Sequence, residues 1–245
     1  VRKSKVSIII PAYNEEAYIC KTLKSIACLH PAPFEVILVD GQSEDRTCEK
    51  ATSFNLKVIS SEKGRARQMN RGAEVARGQY LCFIHADTWV PEDLLDWVEE
   101  ALANPRTSAG AFLSRMRGRK HRRFTTLHNR IKTYYAPMLY RPYHTLFKGL
   151  RLLFGDQVIF CRREDFLRVG GFNPDDLILE EANLCLRMNK IGRLRQLPHW
   201  VESSDRRVED WGGEVKANAI YFLLTLGWAF RIPQKKLAQY YRDVR

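Results

Sequence analysis

The chain has 245 residues, enough for one large domain or a domain with an appended subdomain, and 45% of them are apolar, so it can bury a full core. Its longest uncharged apolar stretch, 217–230, is 14 residues, short of the ~18 that a membrane-spanning helix requires. The formal charge is +12, and residues 114–151, from Ser114 to Arg151, hold eleven Lys and Arg with no acid, so an anionic partner is expected there.

In chain order, residues 6–10 (VSIII) form a short β-branched apolar run that predicts a buried parallel strand. Helical spacing follows over 14–27. A second strand is expected at 35–39, a helix at 46–54, a third strand at 56–59, a helix at 65–76 and a fourth strand at 80–84. Pro91 fits the first turn of the next helix, which Asp87 or Thr88 could cap. A fifth strand is expected at 109–113. Strands alternating with helices over about 110 residues predict an α/β fold with a mostly parallel, Rossmann-like sheet flanked by helices.

After Arg115 the rhythm changes. A basic, aromatic segment runs to about Leu152. A strand is then expected at 154–161, a short helix at 165–169, an amphipathic helix at 180–191, and two helices in the tail from Glu214. The chain therefore divides into residues 1–115, a second half of the same domain over 116–213, and a C-terminal helical extension over 214–245. The six cysteines show no CxxC spacing and are expected to be reduced core thiols in a reducing compartment such as the cytoplasmic side of a membrane. The chain begins at Val1, which leaves room for an upstream targeting segment.

In a parallel sheet of this kind, ligands bind beyond the carboxyl ends of the strands. The polar residues cluster there: Pro11-Ala12-Tyr13-Asn14-Glu15 after the first strand, Asp40 after the second, and His85-Ala86-Asp87 after the fourth. There is no GxGxxG after the first strand and no GxxxxGK[ST], which argues against a dinucleotide enzyme or a P-loop ATPase. A diphosphate could instead be held through Mg2+ or Mn2+, which need only one or two protein oxygens beside substrate phosphates. On residue type, Asp87 is a candidate ligand, Tyr13 could stack on a base, Asp40 could accept from a base amide, and Lys63, Gly64, Arg65 and Arg67 could meet the diphosphate. On spacing alone, Glu180 and Glu181 read as first-turn acids of a helix.

Five stretches in order, IIPAYNEE, EVILVDGQSEDRT, GRARQMNRGAEVARGQYLCFIHADTWVP, FGDQVIFCRREDFLRVGGF and LEEANLCLRMNKIGRL, resemble family 2 glycosyltransferases of the GT-A fold, in the subgroup carrying GRARQMN and HADT. The likeness covers roughly residues 5–245. It implies transfer of a sugar, with inversion, from a nucleoside diphosphate donor, typically a UDP-sugar, with Mn2+ or Mg2+ as cofactor. It implies that Pro11, Ala12, Tyr13 and Glu15 lie along the nucleoside and that Asp40 contacts the base. Gly64 and Arg65 would lie near the sugar nucleotide, and Asp87 would be the metal ligand as the last acid of the DxD motif. His85 takes the place of that motif's first acid. Gly155, Asp156 and Gln157 resemble the acceptor-side GDQ stretch. Glu180 and Glu181 take the position of a Glu-Asp pair whose second acid is the catalytic base. Arg206 and Arg207, beside Asp205 and Glu209, could form surface pairs or close over the diphosphate, and Trp211 could wall the acceptor site or serve only in packing.

The acceptor is unknown, and a lipid-linked one fits the basic segment. That segment leaves three readings open: a solvated amphipathic helix, a membrane-surface patch, or a nucleic-acid site, the last opposed by the lack of any nucleic-acid-binding motif. Two other classes also stay open, a nucleotidyltransferase and a non-catalytic sugar-nucleotide or membrane-surface binding protein.

Overall fold

The computed structural model describes residues 2–118, 122–176 and 178–239. In chain order it runs β1 (Val6–Ala12), α1 (Ile19–Ala27), β2 (Glu35–Asp40), α2 (Thr47–Ala51), β3 (Lys57–Ser60), α3 (Arg65–Val75), β4 (Tyr80–Phe83), β5 (Thr88–Trp89) and α4 (Leu94–Ala103). The second half contributes β6 (Thr107–Arg117), α5 (Arg123–Tyr140), α6 (Pro142–Phe147), a 3-10 turn at Gly155–Gln157, β7 (Ile159–Arg162), α7 (Arg163–Arg168), α8 (Glu180–Met188) and β8 (Arg193–Ser204). It ends with α9 (Arg206–Asp210), α10 (Glu214–Ala229) and α11 (Gln234–Gln239).

The eight strands form one sheet in the order β3-β2-β1-β4-β7-β6-β8-β5. β1 pairs in parallel with β2 and β4, β2 with β3, and β6 with β8; only β7 and β5 run against their neighbours. The sheet is thus mostly parallel, as its apolar strands predict. β1 is buried along its whole length because helices cover both faces. On one face Ile8, Ile10, Phe112 and Phe160 pack with Leu23 of α1 and Leu94 and Val98 of α4. On the other, Ile9, Val39 and Phe83 pack with Met69, Phe166 and Leu184. Gly72 lets α3 lie close to the sheet, since a Cβ there would meet Ile9 Cγ2 at 2.5 Å.

Several expected elements are corrected. The first helix starts at Ile19, not Asn14. Asn14 is left-handed (φ 53°), and the Glu15 and Glu16 N–H groups donate to Thr47 Oγ1 and Asp45, so this stretch is a turn tied to the loop after β2. The Pro91 helix begins at Leu94 with Asp93 at its N-cap; Asp87 and Thr88 do not cap it, because Thr88 belongs to β5 and pairs with Ser203. The expected strand over 154–161 splits, its first part curling into the 3-10 turn and only Ile159–Arg162 pairing with β4 and β6. The expected 180–191 helix ends at Met188.

β8, twelve residues long, is absent from the sequence reading. Its pairing with β6 jumps from Ala111↔Gln196 to Leu113↔Trp200, so Pro198 falls in an irregular stretch, where a residue without an N–H is tolerated. All six cysteines are free, with Cys82, Cys161 and Cys185 buried. Among the described residues no helix is long and apolar enough to cross a membrane.

Candidate active site

The carboxyl ends of β1 and β4 open into a cleft of about 510 Å3, within the size range of small-molecule sites. It is lined from β1 by Pro11, Ala12, Tyr13 and Glu15, from the start of α3 by Gly64 and Arg65, and from the β4–β5 connection by His85 and Asp87. Eight of the expected donor-side residues are therefore brought together. Lys63 sits over the Tyr13 ring at 3.7 Å and presents its ammonium at the same mouth.

Asp40, expected in the same role, closes β2 beside this cleft and is not among its lining residues. Its carboxylate accepts N–H from Gln42 at 3.1 Å and from Ser43 at 3.1 Å, which holds the left-handed turn at Gln42 (φ 68°). The sequence reading assigned no role to Gln68, yet its Nε2 donates to Ala12 O at 2.7 Å and Val39 O at 2.9 Å and so joins the ends of β1 and β2.

Arg206, at the start of α9, gathers the acids of the cleft. Its guanidinium donates to both Glu15 oxygens at 2.9 and 3.0 Å and to Asp87 Oδ2 at 3.3 Å, and it lies over the Tyr18 ring. Burial raises the Glu15 pKa above the usual carboxylate value, against the pull of Arg206. The Asp87 backbone is fixed as well, because Ser204 N–H donates to its carbonyl at 3.0 Å.

An inner pocket adjoins the cleft and shares Arg65, His85, Asp87, Arg206 and Arg207 with it. Its far wall is Gly155, Asp156, Glu180 and Glu181. Gly155 is the point of closest approach: a Cβ there would lie 2.2 Å from His85 Cε1 and 2.7 Å from Glu181 Oε1. The His85 imidazole and the Glu181 carboxylate therefore both crowd the space beside Gly155, which only a glycine leaves open. Gly155 N–H donates to Glu181 Oε1 at 3.0 Å and orients that carboxylate. Glu180 accepts from Arg65 Nη1 at 3.0 Å, which links α8 to α3 across the two pockets.

Burial first, and the charge of Glu180 second, push the Glu181 pKa up to about 7. A carboxylate titrating there can take a proton near neutral pH. The backbone around it is strained. Leu179, just before Glu180, has φ 53°, and the β-branched Val158, just after the 3-10 turn, has φ 58°; left-handed residues of this kind cost ~1–3 kcal/mol each and gather at functional sites.

The third wall comes from the basic segment, which the sequence reading treated as surface. α5 turns Asn129 and Lys132 into the inner pocket. Asn129 donates to Asp156 at 2.9 Å. Lys132 is only 6% exposed and lies 3.8 Å over the Phe154 ring. Burial pulls its pKa below the ordinary lysine value, against the attraction of Asp156 and Glu181.

Two expected acceptor-side residues lie elsewhere. Gln157 is buried and turned toward α5, where it donates to Thr133 Oγ1 at 3.0 Å and Asn129 O at 3.3 Å, so it supports the pocket wall from behind. Trp211 is buried with Val208 and Ala217 and packs on Tyr221, one layer behind the pocket.

No group of three or more His, Cys, Asp or Glu side chains that could hold a metal occurs among the described residues. A cage made wholly by protein is therefore not built here. The donor set, one carboxylate and one imidazole lining the same cleft, instead fits a hard divalent cation whose other ligands come from a bound diphosphate and water.

The model of glycosyl transferase family 2 matches residues 7–169, well over half of the chain. The chain belongs to that family. An uncharacterized glycosyltransferase of Haemophilus influenzae is 28% identical over 190 residues, 75% of this chain and 61% of that protein. The dolichol-phosphate mannosyltransferase of Pyrococcus furiosus is 35% identical over 107 residues, 41% of this chain and 30% of that one. The chain thus spans less than two thirds of the length of these relatives. Among solved structures, a mannosyltransferase from Pyrobaculum calidifontis in complex with GDP-Man and Mn2+ superposes with a TM-score of 0.68 at 20% identity, covering 98% of this chain and 69% of that one. The glucosyl-3-phosphoglycerate synthase of Mycobacterium tuberculosis, in complex with Mn2+, UDP and glucosyl-3-phosphoglycerate, gives 0.65 at 21%, covering 94% and 81%. The fold is that of these glycosyltransferases, the GT-A fold implied by the motifs.

Proposed function

We propose that the chain is a metal-dependent, inverting glycosyltransferase that moves a sugar from a nucleoside diphosphate, in our reading a UDP-sugar, to an acceptor hydroxyl. The observation that carries this is that His85 and Glu181 both close on Gly155, where the donor-side cleft meets the inner pocket that holds the buried Glu181. In this reading Tyr13 stacks on the base, Asp40 fixes the turn beside it, and Arg65 and Lys63 meet the diphosphate. Asp87, with His85 beside it, holds Mn2+ or Mg2+. When bound, the ion offsets the charge of the departing diphosphate.

Arg206, whose guanidinium lies at the same cleft beside Asp87 and Glu15, would carry part of that charge too. Glu181 accepts the proton of the acceptor hydroxyl. The oxygen then bonds to the anomeric carbon on the face opposite the diphosphate, whose C–O bond breaks, and the configuration inverts. Asn129 and Lys132 orient the acceptor from the side of α5. A lipid-linked hydroxyl suits that side, and the free thiols support work in a reducing compartment.

The test is release of nucleoside diphosphate from UDP- and GDP-sugars, with and without Mn2+, alongside the shift in melting temperature that each donor produces. Manganese-dependent release with one donor is expected. Binding without release across varied acceptors would favour the non-catalytic reading.

A further inference from the structure

α5 is inverted relative to an ordinary surface helix. Its inner face carries Thr125, Asn129, Lys132 and Thr133, all buried, while Phe124, Leu127, Ile131, Tyr134 and Met138 point outward. The outward residues recur at intervals of three and four, one stripe of a helix, and each is between 38% and 56% exposed. A helix covering a soluble core normally has its apolar stripe inward. Here the inward polar face is the wall of the candidate site, so the inversion has a cause on one side and lacks one on the other.

α10 repeats the arrangement alongside. Asn218 and Thr225 turn inward, and Val215, Phe222, Leu223 and Phe230 turn out, Val215 at 80% exposed. The two helices touch along their length, from Thr125 with Glu214 to Tyr135 with Phe222 and Tyr140 with Trp228, so their outer stripes adjoin. α6 extends the face with Tyr143, Leu146 and Phe147.

We propose that the outer face of α5, α6 and α10 docks on an anionic lipid bilayer. Exposed cations, Arg123, Arg130 and Lys148, flank the apolar stripe, and residues 114–151 contain no acid. A second copy of the chain would bring two acid-free cationic segments together across a two-fold axis, which like charge opposes. A nucleic acid could stack on the exposed rings of this face, but Leu127, Ile131, Met138 and Leu223 lie exposed among them and have no partner in a polar strand, whereas a lipid interface takes both. An anionic interface takes both kinds of group: the acyl boundary receives Leu, Ile and Phe, the tyrosines lie at headgroup depth, and lipid phosphates meet Arg and Lys. The helices would lie in the interface plane, since none among the described residues is long and apolar enough to cross.

Docking is read independently of sugar transfer. The full chain is floated with phosphatidylcholine vesicles, with and without phosphatidylglycerol. The chain should float with the phosphatidylglycerol vesicles, bind pure phosphatidylcholine far less, and release as salt rises to about 0.5 M. Leu127→Glu with Ile131→Glu should lower the bound fraction about tenfold with an unchanged melting temperature. Leu223→Ser, on the neighbouring helix, gives a second reading should that double variant melt early. No flotation at low salt, or flotation unaffected by both variants, overturns the proposal. So does a dimer in light scattering that the double variant dissolves while vesicles go unbound, and so does single-stranded DNA bound through the same face in preference to vesicles.

Discussion

The two sides of the candidate site hold charge in different ways. On the donor side, Asp87 and Glu15 sit at the mouth of the cleft and share the guanidinium of Arg206. On the acceptor side, Glu180, Glu181 and Lys132 are all buried, and Glu180 pairs with Arg65. An ion pair at a cleft mouth holds its groups only loosely, so its carboxylates can exchange their partner for a cation at little cost. A buried carboxylate beside a like charge is pushed toward neutrality and becomes a group that can exchange a proton at physiological pH. In the proposed mechanism the first side binds and the second moves a proton.

The largest effect expected from breaking this contrast is at Glu181. Glu181→Gln should lower transfer by about 10^2–10^4-fold while donor binding, read by thermal shift, is retained. The same variant should melt higher than the parent at pH 8. A carboxyl whose folded pKa is raised contributes stability that is present below its unfolded value of about 4.5 and lost as pH rises through about 7. The gain should therefore vanish below pH 4.5.

Asp87→Asn comes next. It should lower manganese-dependent turnover by roughly 100-fold or more, and its titration with Mn2+ should show weakened or absent stimulation. Unchanged metal dependence would move the ligand elsewhere. Gly155→Ala should act on both sides at once. The added methyl overlaps His85 and Glu181, so turnover should fall and stability should drop by about 1–3 kcal/mol in denaturant melts.

The smallest effect sharpens the comparison most. Glu180→Gln removes the second cause of the raised Glu181 pKa, so the pH at which activity rises should move down, with the plateau rate little changed. An upward move would mean that loss of the Arg65 contact outweighs loss of the like charge.

The donor side was largely legible in the sequence because it is local. Each group follows a strand whose apolar run predicts its own burial, so Tyr13, His85 and Asp87 could be placed at one sheet edge from periodicity alone. The acceptor side was not, because it is assembled from distant pieces. Glu180 and Glu181 are ordinary first-turn acids by spacing, and only their resemblance to a motif singled them out. Lys132 and Asn129 lay in a segment whose eleven basic residues drew attention to its surface. The available signal was the intervals joining Thr125, Asn129, Lys132 and Thr133, a polar stripe on the side opposite Leu127 and Ile131. Pairing of β8 with β6 was hidden by Pro198 and by alternating charges, and that pairing carries the chain to Ser204, from which Arg206 reaches across to Asp87. Gln157, placed on the acceptor side by resemblance alone, supports the wall from one layer behind, and of the two roles that residue type leaves open for Trp211, packing holds.

The central claim, that Glu181 is a buried base poised near neutrality, is tested most directly by the pH dependence of kcat/KM for sugar transfer in the parent chain. The account predicts activity rising with pH through an apparent pKa of about 7, with Glu181→Gln showing no such limb in its residual rate. A profile already flat between pH 5 and 8, or the same limb persisting in Glu181→Gln, would contradict it.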